Sequence, residues 1–71
     1  MTVRCKILKV AKDYYIGKNS YSNKKFKIIR NEHIRELKRN DDYEFYCKRE
    51  KGLLRDILIP ISEEEALRSN N

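Results

Sequence analysis

Apolar and charged residues alternate at the start of the chain, with Val3, Cys5 and Ile7 on one face and Arg4 and Lys6 on the other. That period of two predicts a half-buried strand over residues 3–7. The phase then slips: Leu8 is apolar on the basic face, and Val10 and Ala11 follow. A bulge near Leu8 and Lys9 would let the strand bend, as a small barrel requires. Tyr14, Tyr15 and Ile16 predict a second short strand. Residues 17–23 form a polar loop in which Gly17, Asn19 and Asn23 can take left-handed conformations. Residues 24–30 read as a third strand, with Phe26 and Ile28 inward and Lys25, Lys27 and Ile29 outward.

Asn31 resembles a helix N-cap and Glu32 suits a first turn, so a single helical turn is expected over residues 32–38, docked by Ile34 and Leu37. Leu37 to Phe45 then resembles a joint common in small barrels, with Asn40 in place of the usual turn glycine. A fourth strand turns Tyr43, Phe45 and Cys47 inward and Glu44, Tyr46 and Lys48 outward. Glu50, Lys51 and Gly52 make a hairpin turn, and a fifth strand returns from Leu53 to Ile61 with Ile57, Ile59 and Ile61 on one face. Pro60 cannot donate to a sheet ladder, so that end of the strand is expected at an edge. Ser62 begins a capping box with Glu65 ahead of a short helix to about Arg68, and Ser69, Asn70 and Asn71 form a fraying tail.

These elements predict a mainly β, small α+β domain: a five-stranded curled antiparallel sheet closing as an SH3-like or OB-like small barrel, with one helical turn and a short C-terminal helix. The 71 residues leave room for one domain only. A chain this short buries only about 60% of its unfolded surface, so its stability margin is small. The order of elements is similar to that of the small basic archaeal chromatin proteins with SH3-like barrels. That likeness rests on topology and charge; the Trp/Val/Met reading surface of that family has no match here.

Charge changes the picture most. Residues 1–30 carry nine Lys/Arg against one acid, Asp13, whereas residues 31–71 carry eight bases against ten acids. The net charge of +6 therefore arises in the N-terminal half, where it focuses positive potential that attracts polyanions or acidic partners. The candidate nucleic-acid-binding residues are Arg4, Lys6, Lys12, Lys24, Lys25, Lys27 and Lys48 for phosphates, with Tyr15 and Tyr46 for stacking or minor-groove contact. Either Tyr14 or Tyr15 must face outward if both lie in one strand.

The remaining chemistry is bland. His33 is the only histidine and has no partner to complete a catalytic or metal set, and residues 63–65 read as a helix start. Cys5 and Cys47 lack a C-x-x-C spacing and sit on inward phases, so both are expected as buried, reduced thiols. No catalytic residue, metal or cofactor is expected. No apolar run reaches membrane-spanning length and no signal-like segment opens the chain, which predicts a soluble, cytoplasmic protein without membrane partners. Lys, Asn, Ile and Tyr supply 29 of the 71 residues; all are read from A/T-rich codons, as in many phage, viral or mobile-element genes.

Two functions follow as expectations. The first is a small module binding DNA or RNA through the phosphate backbone, salt-sensitive and with little sequence specificity, as a monomer or weak homodimer. The alternative is a small effector or inhibitor, encoded by a phage, virus or other mobile element, that binds an acidic surface or nucleic-acid channel of a host protein.

Overall fold

The computed structural model describes residues 1–68. Five strands, β1 (Thr2–Val10), β2 (Tyr14–Asn19), β3 (Lys25–Ile29), β4 (Asp42–Glu50) and β5 (Ile57–Pro60), precede one short helix, α1 (Glu63–Arg68). The strands close into a barrel in the order β1-β2-β3-β5-β4, the small-barrel architecture that the alternation predicts. The crossing from β3 past β4 to β5 makes it a Greek key, the OB-like form of the two closures expected. One ladder departs from the antiparallel expectation: β3 pairs with β5 in parallel, through Lys27 with Ile57 and Ile28 with Leu58.

Closure depends on β1, which pairs with β4 through residues 2–6 and with β2 through residues 5–10. The register against β2 slips between Ile7 and Lys9, so the bulge expected near Leu8 is present. Opposite it, Gly17 faces inward at a close approach. A Cβ there would lie 2.7 Å from Ile28 Cδ1 and 3.0 Å from Cys5 Cβ. The first atom ends a flexible side chain, but the second is fixed to the β1 backbone.

The interior is filled by the inward phases of the strands, with Cys5, Ile7, Ile28, Cys47 and Leu58 fully buried. Three sequence expectations are corrected here. Tyr15, expected on the binding face, is buried at 1% exposure, and its hydroxyl accepts a hydrogen bond from Leu37 N at 2.9 Å. The helical turn over 32–38 does not form. Ile34 N reaches Asn31 O at 3.3 Å, but Asn31 Oδ1 accepts from His33 N and Nδ2 donates to Pro60 O. Leu37 N is then spent on Tyr15, so the segment stays irregular and still buries Ile34 and Leu37. Finally, the fifth strand has the opposite phase: Leu58 and Pro60 point inward while Ile57 and Ile59 are half-buried.

Pro60 is tolerated because it lies beyond Leu58, where pairing with β3 has already ended. The tight hairpin at 50–52 is replaced by a loop over residues 51–56, since Glu50 already pairs with Ile57. Asn40, at φ 76°, takes the glycine-like role assigned to it. Its N–H donates to Ile7 O at 2.7 Å while Ile7 N donates to Asp41 O at 2.8 Å. Ser62 Oγ accepts from Glu65 N at 3.0 Å, which caps α1 as the sequence predicts. The tail expected to fray from Ser69 lies outside the described residues.

Both cysteines are buried and free. Burial pushes the Cys5 thiol up to about 12, with a smaller contribution from Cys47, and pushes Cys47 up to about 11. Unfolded thiols ionise near 9.0, so above that pH the unfolded chain sheds protons that the folded one keeps. Stability falls as pH rises from about 9 towards 12, and is unaffected by these groups below that window. Urea unfolding at several alkaline pH values should show a shallower decline for Cys5→Ala/Cys47→Ala than for the wild type; parallel declines would contradict the burial argument. Under neutral conditions, Tyr15→Phe should cost about 1–3 kcal/mol by leaving Leu37 N without an acceptor. Gly17→Ala should cost about 1–3 kcal/mol by overpacking the wall.

Candidate nucleic-acid interface

The outer surface of β1, β2, β3 and β5 carries a row of residues in direct register. Lys9 pairs with Ile16, Ile16 with Lys27, and Lys27 with Ile57. Cation and apolar side chain thus alternate across four strands. A second row, Lys6 with Lys18 and Lys18 with Lys25, runs beside it. Tyr14, rather than Tyr15, points outward here. Lys27 Nζ stands 4.8 Å from its ring centroid and Lys9 Nζ 6.0 Å, so the ring spaces two like charges while each gains a cation–π contact.

The β4–β5 loop flanks this surface and turns it into a cleft of about 910 Å³. Leu8, Tyr14, Ile16 and Ile57 supply its apolar lining from the barrel wall, with Leu53 and Leu54 from the loop. Lys9, Lys25, Lys27, Lys51 and Arg55 supply its charge, and no carboxylate among the described residues lines it. The bulge explains why Leu8 and Lys9 both reach this surface: one extra residue on β1 lets two successive side chains emerge on the same side. The loop is anchored at its end, where Arg49 Nε donates to Asp56 Oδ2 at 2.7 Å and Lys27 N donates to Asp56 O at 3.0 Å.

Of the residues expected to bind nucleic acid, Lys25 and Lys27 line the cleft, and Lys6 adjoins it through Lys18. Lys12 and Lys24 are exposed in the connections on either side of β2. Arg4 is engaged elsewhere: its Nε lies 3.1 Å from Asp42 Oδ1, which offsets its charge. Tyr15 belongs to the core, with the Arg30 guanidinium 4.8 Å from its ring centroid and Arg30 Nη1 donating to Ala11 O. Tyr46 does not join the basic surface; it lines a shallow depression with Thr2, Glu44 and Glu63. Lys48 pairs with Ile59 and does not line the cleft.

Lys9, Tyr14, Ile16, Lys51, Leu53, Leu54 and Arg55 were absent from the sequence-based set. Two signals pointed to part of this group. Leu8 breaks phase onto the basic face, and either Tyr14 or Tyr15 had to face outward; Gly17, expected in a loop over 17–23, instead lies inward in β2 and leaves Ile16 and Tyr14 outward. His33 sits on an exposed turn with Nε2 3.5 Å from Glu32 Oε1. Among the described residues no group of three His, Cys, Asp or Glu side chains could hold a metal ion, and no helix is long and apolar enough to cross a membrane. Compared with known protein families, curated proteins and solved structures, the chain matches none.

Proposed function

We propose that this protein binds nucleic acid through the cleft bounded by β1, β2, β3 and the β4–β5 loop. The observation that carries the reading is the composition of that cleft: five cations and no carboxylate around an apolar lining that includes an aromatic ring. Lysines at such a rim neutralise phosphates, and apolar and aromatic surface between them meets bases or sugars. The OB-like barrel adds an analogy of fold, since such barrels commonly use the face of strands 2 and 3 with the loops flanking it. No side-chain pattern for reading base edges accompanies it, so the binding is expected to be tolerant of sequence. Two buried, free thiols suit a reducing compartment such as the cytoplasm.

Titration of labelled DNA and RNA at ~50 and ~200 mM salt tests the reading. Lys25→Glu/Lys27→Glu should weaken binding to all sequences alike and leave the thermal transition in place. Each cation removed should make the slope of log K against log salt shallower by about 0.7 on single strands or 0.9 on duplex DNA. Arg4→Gln should matter less, because Asp42 already holds that charge. Tyr14→Ala should cost roughly 1–3 kcal/mol of binding, largely independent of salt, whereas Tyr46→Ala should leave affinity unchanged. If the wild-type protein retains neither DNA nor RNA at ~50 mM salt, the cleft serves an acidic protein partner and the effector reading replaces this one.

A further inference from the structure

Leu53 and Leu54 are exposed at 106% and 92%, so neither packs on the barrel. Both nevertheless line the cleft, held beside it by the Asp56 anchor at the end of their loop. Building on the nucleic-acid reading above, we propose that the cleft takes a single strand, with Leu53 and Leu54 packing against unstacked bases.

The chemistry of the lining discriminates between strand forms. A duplex hides its base faces in the stack and presents charged backbone and polar groove edges outward. Placed on this cleft, it would press those charged and polar groups against Leu8, Ile16, Ile57 and both loop leucines, which offer them no hydrogen bonds in exchange for water. A single strand exposes base faces that can be buried against those side chains and the Tyr14 ring, while the rim lysines reach its phosphates. Groove entry is disfavoured from another direction as well. Among the described residues the one helix is six residues long, and its first turn carries Glu63, Glu64 and Glu65, which phosphates repel, so no described helix suits a major groove.

The test uses the full chain and fluorescence anisotropy. Its ligands are a labelled DNA strand of about 12 nucleotides, within the site sizes of small barrels, an RNA of the same sequence, and the DNA duplex. At least one single strand should bind tenfold or more tighter than the duplex, and the DNA-to-RNA ratio identifies which sugar the cleft prefers. Leu53→Ser/Leu54→Ser should lower single-strand affinity about tenfold while leaving the salt slope and the melting curve unchanged, because both side chains lie in solvent. Equal affinity for duplex and single strand, or full affinity in the serine variant, would overturn the proposal and leave the broader nucleic-acid reading standing. Absence of any retention by the wild type would remove both, and pull-down with the same two variants would then address an acidic protein partner.

Discussion

A strand that pairs along both edges and also bends must change register somewhere, and in this barrel the change falls at Leu8. The first half of β1 bonds to β4, and Ile7 N reaches Asp41 O as that partnership ends. Beyond the bulge, β1 follows β2 alone. Across from it, a Cβ on Gly17 would crowd Ile28 Cδ1 and Cys5 Cβ, which is why glycine suits that position without a positive φ. Its role is space rather than backbone freedom. The bulge also shapes the cleft wall, since without it Leu8 and Lys9 could not both emerge beside Ile16.

Tyr15 performs a second structural task that its chemistry suits well. Its ring lies in the core and its hydroxyl reaches the end of that core, where it ties down Leu37 in the segment that links β3 to β4. Arg30 covers the ring from outside and binds Ala11 O, so the β1–β2 and β3–β4 connections meet around one aromatic residue. That arrangement replaces a helix by an irregular segment in which His33 N, Leu37 N and Lys38 N donate to side chains. Burial of Ile34 and Leu37 is retained either way.

The strands were legible because alternation is a strong local signal, and the bulge because Leu8 violates that alternation. Asn40 and Ser62 were legible for a similar reason: few residues suit a left-handed turn or a helix cap. The choice between Tyr14 and Tyr15 was not, since both are aromatic and the phase is fixed by pairing with Val10 and Ile28. The fifth strand misled because Ile57, Ile59 and Ile61 spell an amphipathic face, whereas the closed barrel selects Leu58 and Pro60 as interior and buries Ile61 only past the strand's end. For the site, the charge asymmetry located the lysines of β1 and β3, but Lys51, Leu53, Leu54 and Arg55 come from the acidic half of the chain. They join the cleft only through the crossover of β5 onto β3.

That crossover has a kinetic consequence. The strands β1, β2 and β3 are successive in sequence and can meet as a local meander, but β4 returns to β1 across a wide separation, 38 positions at Arg4 and Asp42. Such distant pairings carry loop-closure entropy that must be met before their contacts form, and they set the pace in barrels of this kind. Ile57 and the 51–56 loop belong to the β4–β5 unit, so the complete cleft requires these long-range pairings as well as the β1–β2–β3 meander. The lysines of β1 and β3 lie in the local meander, but the cleft around them is complete only in the closed barrel.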